Sequence, residues 1–589
     1  MSNDSVIPTP ATPDVCTVAI LVDGTEISGE FHVLSVSVSN ELNRIPSAII
    51  HLRDGDAAKS TFAVSNSDHF IPGKNIEIQM GYRSQNQSVF KGIVIKHGIK
   101  IRKDGSLLTV ECRDKAVRMS SAVKSRYFAE RKDSDIMEEI LSSYQLQKEV
   151  SATKPDLKEL TQYDCTDWDF LLCRAEANGQ VVIVQDGKVT VTPPATGTEP
   201  VVSVRFGATL MELDAEIDAR KQSKGITASS WSATGQDVLQ AEAKEPPKGG
   251  AGNLSPAKLA DVIGGPAREI RHGGKLTQPE LQAWADATLL RERLAKVRGR
   301  AKFQGFAGVV PGKVIELSGI GERFAGKVYV SGVRHTMANG NWETDVQFGL
   351  DNGRFAETYN LRPLPAAGLI PAVSGLQVGV VTALQNDPEG EDRIKVRLPM
   401  VNKVAEGIWA RLATLDAGKE RGTFFRPAPG DEVVVGFLGD DPRHPVVLGM
   451  CHSSANPAPE KAKDENHRKG YVSRSKMRFI FDDQKNVVLL ETPGGNRMTL
   501  SEEDKGITLA DQNGNKIVMD QSGIKIESSK DITLSAAKDI AVEGGGQVAL
   551  QAQKSLKAVG AVSAELSGSS TSVKGSATTV IQGGIVRIN

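Results

Sequence analysis

Residues 523–558 read GIKIESSKDITLSAAKDIAVEGGGQVALQAQKSLKA, and this stretch repeats every eight residues. Two apolar side chains recur in each unit, two residues apart, which is the spacing that places them on one face of a β-strand. The polar or glycine-rich residues between the strands, such as Ser-Ser-Lys-Asp and Gly-Gly-Gly-Gln, are typical of turns. The pattern predicts a stack of short strands, each with one apolar face.

A strand of four residues cannot bury its own apolar face, so the units must stack and find partners across an axis. No aromatic residue follows Phe481 and no proline follows Pro493. An interior of Ile, Val, Leu and Ala suits a narrow prism, and the absence of proline suits an uninterrupted backbone ladder. Three copies around a threefold axis would close such a prism with its backbone groups paired. The predicted needle core is Ile524, Ile526, Ile532, Leu534, Ile540, Val542, Val548, Leu550 and Leu556.

Composition excludes several classes of protein. The chain has 589 residues, with 71 Lys plus Arg against 72 Asp plus Glu and a formal charge of −1. This length predicts several domains, and the balanced charge argues against nucleic acid as a partner. The five scattered cysteines are typical of free thiols in a reducing compartment. No signal peptide or membrane span is recognisable, so we expect folding in the cytoplasm.

The chain reads as a mainly β protein with a few helices. We expect a flexible N-terminus over 1–14, a hub domain with two β-barrels over 15–362, and a linker over 363–374. A small oligonucleotide/oligosaccharide-binding (OB)-type barrel over 375–455 follows, then a linker over 456–470 and a β-helical needle over 471–589. Within the hub, helices are predicted from about Asp133 and from Asp167, a third behind the capping box Thr277–Glu280, and a mobile loop over 240–275.

Candidate chemical sites are better explained structurally. Gly321–Lys327 matches most of a phosphate-binding loop, but Val328 replaces the Ser or Thr that would hold Mg²⁺, and a strand follows. Neither Cys451 with His452 and His444, nor Cys165 with Cys173, has the paired spacing of a metal site. No nucleophile motif occurs. We therefore predict no catalytic residue, cofactor or metal, and no enzyme activity.

Several stretches resemble VgrG-type spike proteins. PGKVIELSG at 311–319 with GERFAGKVYVSGVRH after it is similar to the second hub barrel of that family, and WDFLLCRAEANG at 168–179 to a hub helix. FFRPAPGDEVVVGFLGDDPRHPVVLG at 424–449 is similar to the family's small barrel. NELNRIPSAIIHLRDGDAAK at 40–59 and FIPGKNIEIQMGY at 70–82 look more like spikes of extracellular phage-tail-like particles.

The resemblance implies a structural, membrane-puncturing spike of a contractile injection system. It implies a homotrimer whose hub adapts a six-fold inner tube and contacts baseplate proteins, and whose needle is an intertwined triple-stranded β-helix. A PAAR-type tip protein would sit on the C-terminal end, effector cargo could be carried, and a target membrane would be pierced. The particle would act outside the cell or deliver the spike into a target cell. The tip would dock on Gly583, Gly584, Ile585, Val586, Arg587, Ile588 and Asn589.

Alternatives remain at this point. Within the family, the chain could be the tip protein of a type VI secretion system instead of an extracellular particle. A trimeric adhesin or tail fibre would also carry spacer repeats, but it needs a distal head. A left-handed β-helix acyltransferase would need a six-residue repeat, which conflicts with the eight-residue one. The small barrel lacks the basic, aromatic-rich groove of nucleic-acid binders, so Trp409, Phe424, Phe425 and Phe437 are interpreted as core and trimer contacts.

Overall fold

The computed structural model describes residues 15–247 and 250–588. It divides into two compact units, residues 1–448 and residues 449–589. The predicted flexible N-terminus, 1–14, lies outside the described residues, and so does Asn589. Among the described residues, no helix is long and apolar enough to cross a membrane.

The first unit begins with a β-rich region. Its strands are β1 (Cys16–Val22), β2 (Thr25–Glu26), β3 (Val33–Glu41), β4 (Ser47–Arg53), β5 (Asn75–Tyr82), β6 (Gln85–Arg102) and β7 (Gly105–Arg113). Alternating apolar and polar residues in the sequence predict these strands. In the structure, their inward side chains, such as Ile50, Ile78 and Leu108, are fully buried together. At the turn between β1 and β2, Asp23 and Gly24 both have positive φ, as a tight hairpin turn requires.

A mixed α/β region follows. It comprises β8 (Val123–Lys132), α1 (Asp133–Ser143), β9 (Gln147–Val150), β10 (Asp156–Thr166), α2 (Asp167–Ala177), β11 (Val181–Gln185) and β12 (Lys188–Thr192). Both helices begin where the sequence predicts. The Thr166 side chain caps α2 by accepting a hydrogen bond from the Asp169 N–H, and the inward residues of both helices form one apolar core with β11 and β12.

The second β-rich half of this unit contains the largest departure from the sequence prediction. Its elements are β13 (Ser203–Arg205), β14 (Leu210–Ile217), β15 (Ile226–Ser232), β16 (Asp237–Glu242), α3 (Pro256–Ile263), β17 (Arg268–His272), α4 (Gln278–Leu294), β18 (Val297–Gln304), β19 (Val314–Ser318), β20 (Gly326–Ala338) and β21 (Asn341–Phe348). The capping box of α4 is confirmed. The prediction that 240–275 is one mobile loop is wrong, because two regular elements lie within it. Ser255 caps α3, and β17 pairs in parallel with β15.

One hydrogen-bonded sheet joins the two β-rich halves. Its main order is β14-β18-β21-β20-β3-β4-β7-β6-β5-β1-β2, with β19 and β13 attached to β20. The junction is the antiparallel pairing of β3 with β20, where Val38 lies opposite His335. Each half retains its own apolar core.

The first unit ends with α5 (Phe355–Thr358) and a small barrel. The strands are β22 (Gln377–Ala383), β23 (Ile394–Arg397), β24 (Ile408–Leu412), β25 (Ala417–Gly418), β26 (Arg421–Gly422), β27 (Glu432–Phe437) and β28 (Pro445–Met450). Five of them close in the order β22-β23-β24-β28-β27 around a core of Val, Ile and Ala side chains. This confirms the predicted OB-type barrel. Phe437 packs against that core, whereas Phe424 is largely exposed.

The second unit is a seven-stranded antiparallel meander. Its strands are β29 (Arg468–Val472), β30 (Arg478–Asp482), β31 (Val487–Glu491), β32 (Arg497–Ser501), β33 (Gly506–Ala510), β34 (Lys516–Asp520) and β35 (Gly523–Glu527). Between 528 and 588 the structure assigns no strand, although the sequence predicts short ones there. A strand needs a hydrogen-bonded neighbour, and the eight-residue units do not pair with one another within one chain.

Candidate functional site

One face of the meander is entirely apolar. Strands β30 to β35 are five residues long, and the second and fourth residue of each point to the same side. The register places these residues directly opposite one another on successive strands, in two continuous columns. We call them the apolar face: Phe479, Phe481, Val488, Leu490, Met498, Leu500, Ile507, Leu509, Ile517, Met519, Ile524 and Ile526.

The opposite side of the same strands is mixed. Their central residues on that side are Ile480, Leu489, Thr499, Thr508, Val518 and Lys525. Charged and small residues such as Arg497 and Ser501 flank them. The two faces therefore differ in chemistry, and only one of them needs to be removed from water.

The apolar face is open to solvent in a single chain. Leu490 is 53% exposed and Ile524 is 72% exposed. A groove of about 410 Å³ runs across the face, and Leu490, Met498, Leu509 and Ile517 contribute to its lining. An uninterrupted apolar strip of this length is unusual on a monomer and marks an association surface.

Only part of the apolar face was predicted from the sequence. Ile524 and Ile526 lie on β35, at the end of the two columns. The ten residues from Phe479 to Met519 were missed because their spacing is not constant, although the alternation i, i+2 within each strand is a sufficient signal. The remaining predicted core residues, from Ile532 to Leu556, lie beyond β35 and are between 50% and 73% exposed in one chain. Their place in a trimer core stays a prediction.

Asparagine side chains connect successive turns along one edge of the meander. Asn496 Oδ1 accepts a hydrogen bond from the Gln512 N–H at 3.1 Å. Asn515 Oδ1 accepts from the Ser528 hydroxyl at 2.8 Å and from the Ser529 N–H at 3.3 Å. These bonds hold the start of the eight-residue repeat against the last turns of the meander.

An ion-pair cluster fixes the first strands. Glu460 lies in the predicted linker 456–470 and bonds Arg468 Nε at 3.0 Å and Arg478 Nη2 at 2.7 Å. The hydrogen bond from Arg468 holds the pKa of the Glu460 carboxyl below its usual value. The segment before β30 is therefore tied to the beginning of the apolar face.

The predicted tip-docking residues are placed at the far end of the second unit. Gly583 to Ile588 are exposed, with the side chains of Ile585, Val586 and Ile588 all open to solvent. Asn589 lies outside the described residues. Their role in docking stays a prediction.

The chemical candidates elsewhere have structural surroundings. Residues 321–325 form a turn, and Gly326 and Lys327 already belong to β20, so a strand and not a helix follows the turn. Burial raises the pKa of the Cys112 thiol to about 12 and that of Cys173 to about 11, which keeps both protonated and poorly nucleophilic. Within 15–247 and 250–588, no group of three or more His, Cys, Asp or Glu side chains is arranged to hold a metal ion.

A buried carboxylate organises the α/β region of the first unit. The Asp167 side chain is fully buried and accepts hydrogen bonds from Lys124 at 2.7 Å, Arg126 at 2.6 Å, Tyr144 at 2.8 Å and Gln162 at 2.9 Å. Burial favours protonation of Asp167, but the hydrogen bonds from Lys124, Gln162 and Tyr144 outweigh it and hold the pKa below its usual value. This cluster joins β8, β10 and α2 to Tyr144, the residue that follows α1.

A buried histidine lies where the two β-rich halves meet. His335 Nδ1 is 3.0 Å from Thr344 Oγ1, and its ring centre is 5.9 Å from that of Trp342. Burial lowers the pKa of His335 to about 4, so the ring is neutral at physiological pH.

A wide cleft of about 1270 Å³ in the first unit is lined by paired charges. Arg291 bonds Glu176 at 2.7 Å and Arg300 bonds Asp214 at 2.7 Å. Apolar side chains such as Trp168 and Phe348 also line the cleft, so its surface is mixed and carries little net charge.

Three protein families match successive parts of the chain. Residues 12–339 match the Alg8 N-terminal domain. Residues 377–452 match the type VI secretion system/phage-baseplate injector OB domain, and residues 486–589 match the phage baseplate V C-terminal trimerisation domain. The first of these covers more than half of the chain.

Individual relatives agree with these families. The type VI secretion system spike protein VgrG1b of Pseudomonas aeruginosa is 28% identical over 207 residues, 32% of this chain and 27% of the relative. VgrG3 of Vibrio cholerae, also a type VI secretion system spike protein, is 30% identical over 105 residues, 16% of this chain and 10% of the relative. The matched segments thus span no more than about a quarter of these two relatives.

Among solved structures, the 43 kDa tail protein of prophage MuSo2 from Shewanella oneidensis is similar, with a TM-score of 0.43, 11% identity and coverage of 57% of this chain and 99% of that one. The E. coli c3393 protein, a component of the type VI secretion system, has a TM-score of 0.37, 14% identity and coverage of 73% and 99%.

From the matched families and the curated relatives, the chain belongs to the family of the Alg8 N-terminal domain and is a VgrG-like spike protein.

Proposed function

We propose that three copies of this chain form the spike of a contractile injection system, with the apolar face of each copy turned towards a common axis. The observation that carries the proposal is the unbroken strip of twelve apolar side chains, nine of which are between 36% and 72% exposed in one chain. Burying the exposed half of one Leu or Ile side chain stabilises by about 1 kcal/mol, so association along the whole strip is strongly favourable.

Three copies fit the strip better than two. Each strand contributes only two inward side chains, so the strip is narrow and suits one side of a triangular prism. Two flat strips packed face to face would leave the sheet edges of both open to further pairing. The match of residues 486–589 to a family described as a trimerisation domain supports the same number.

The action is mechanical in this proposal. A closed prism with paired backbone groups is stiff along its axis, and a contracting sheath would press it against a small area of a target membrane. The spike itself makes or breaks no covalent bond. The hub region, residues 15–362, would contact the inner tube and the baseplate proteins.

The C-terminal end would carry a PAAR-type tip protein and, with it, effector cargo. Support for this comes from Ile585, Val586 and Ile588, whose exposed side chains offer an apolar surface to a partner. The chain would fold in the cytoplasm and leave the cell as part of the particle. The stretches at 40–59 and 70–82 favour an extracellular phage-tail-like particle, whereas the curated relatives VgrG1b and VgrG3 favour a type VI secretion system.

Co-purification tests the proposal. The full chain is co-expressed with the inner tube protein and a PAAR-type protein encoded beside it, and compared with a chain lacking residues 583–589. We expect both chains to retain the tube protein and only the full chain to retain the PAAR-type protein. Capture of the tip protein by the truncated chain would overturn the docking assignment, and failure of both chains to hold the tube protein would contradict the spike assignment.

A further inference from the structure

The two parts of the C-terminal unit satisfy their backbones differently. From β29 to β35, every strand pairs with the next strand of the same chain. From 528 to 588, the structure assigns no strand, and each eight-residue unit has only about four residues for one. The first part can therefore form its hydrogen bonds before association, whereas the second part must borrow partners from other copies.

The spacing of apolar pairs changes one strand earlier, at β35. Along the meander, corresponding pairs begin at Phe479, Val488, Met498, Ile507 and Ile517, so the intervals alternate between nine and ten residues. From Ile524 to Leu556 the interval is eight residues. Two alternating intervals fit an up-and-down meander with two kinds of turn, and one constant interval fits units in identical surroundings.

The exposure of the side chains changes too. Apart from Ile524 and Ile526 on the last strand, the side chains of the apolar face are at most 53% exposed, because neighbouring strands of the same chain flank them. The predicted core residues of the repeat, from Ile532 to Leu556, are between 50% and 73% exposed. The meander thus presents a preformed surface, while the repeat has to lose far more conformational freedom when it is buried.

We propose that the meander nucleates the trimer: the apolar face of each copy binds the same face of two other copies, and the repeat winds together only afterwards. This rests on the proposed trimeric spike and adds the order of its assembly. The partner that covers the apolar face is a copy of this chain, because only an identical apolar face has the same alternating intervals of nine and ten residues between its apolar pairs. Only that strip also has the same change from Phe at one end to Ile at the other.

Hydrogen bonds at the junction between the meander and the repeat fix the register of the repeat segment. Asn515 and Asn513 hold Ser528 and Ser529, with the Ser529 hydroxyl donating to the Asn513 carbonyl at 2.8 Å. Once three meanders are packed, the three repeat segments start at the same height and in fixed positions. Their constant eight-residue period would otherwise allow slippage by one or more whole units.

Hydrogen exchange measured by mass spectrometry on the full chain tests this order. Peptides covering 487–519 report the meander, and peptides covering 532–558 report the repeat. Leu500→Asp places a charge on the apolar face, Ile540→Asp places one in the repeat, and Thr499→Asp is the matched control on the other face of β32. We expect Leu500→Asp to abolish protection in the repeat, and Ile540→Asp to abolish it there while the meander stays protected.

Two results would overturn the proposal. One is retention of protection in the repeat of Leu500→Asp, and the other is loss of protection in the meander of Ile540→Asp. If Thr499→Asp behaved like Leu500→Asp, the assignment of the buried face would be wrong. The mass of the unmodified chain distinguishes failure of the proposed function from failure of the proposed assembly order. If the chain is not a trimer, the proposed function fails. If it is a trimer but the exchange pattern is reversed, only the order of assembly fails.

Discussion

Met498 on β32 and Leu509 on β33 lie directly opposite each other, and both belong to the apolar face. They are 39% and 38% exposed in one chain, and both contribute to the lining of the groove of about 410 Å³. Such a cross-strand pair is the basic unit of sheet stabilisation. In the proposed trimer, the same pair would also meet its counterparts from two other copies.

Replacing this pair should reveal its coupling. We expect Met498→Ala and Leu509→Ala each to lower the stability of the C-terminal unit by about 2 kcal/mol. The double variant should lose less than the sum, because the second truncation removes contacts that the first has already weakened. Hydrogen exchange of residues 487–519 measures both effects, and strict additivity would show that the two side chains do not contact each other.

His335 should make the first unit sensitive to mild acid. Its pKa is lowered to about 4 in the folded protein, so between pH 6.5 and 4 the unfolded chain binds a proton that the folded chain does not. Stability therefore falls as the pH is lowered through this window, by roughly 3 kcal/mol from this group. Tryptophan fluorescence during urea unfolding measures it. His335→Gln should flatten the pH dependence, whereas replacement of the exposed His272 should leave it unchanged.

Asp167 should be essential to the α/β region. Asp167→Ala leaves the charges of Lys124 and Arg126 without their shared partner, and we expect a loss of about 2 to 3 kcal/mol in the free energy of unfolding at pH 7. Because the pKa of Asp167 is lowered, its contribution is present at neutral pH and is lost only in strong acid, below its usual value. Asp156→Ala, which removes the exposed pair with Lys132, is the control and should change little. Equal losses for both variants would contradict the account.

The segment between the hub and the small barrel stores backbone strain. Ala366 and Ala367 are consecutive residues in the left-handed region, with φ of 52° and 51°. This conformation costs a residue with a Cβ atom about 1 kcal/mol, so Ala367→Gly should stabilise the first unit by up to that amount in thermal unfolding. Ala372→Gly, outside the strained pair, should have no stabilising effect. A lower melting temperature for Ala367→Gly would refute the assignment of strain.

Local signals in the sequence predict much of this structure. The capping box of Thr277 and Glu280 and the start of the helix at Asp167 depend on neighbouring residues, and both are found as expected. The pairing of β3 with β20 joins residues almost 300 positions apart, and no local pattern encodes it. β17 was missed for the same reason, since its partner β15 lies on the other side of a Gly- and Pro-rich segment.

The candidate site was predicted only in part. The constant period of eight identifies Ile524 and Ile526, because identical units repeat identical positions. The alternating intervals conceal Leu490, Met498 and Leu509, whose common face becomes visible only when the register of β31 to β33 is known. The sequence shows which residues are apolar, and the pairing of strands shows which of them share a surface.

Native mass spectrometry of the purified full chain at micromolar concentration tests the central claim most directly. If three apolar faces pack around one axis, the measured mass is three times the 63.0 kDa of one chain. A mass of one or two chains would contradict the account.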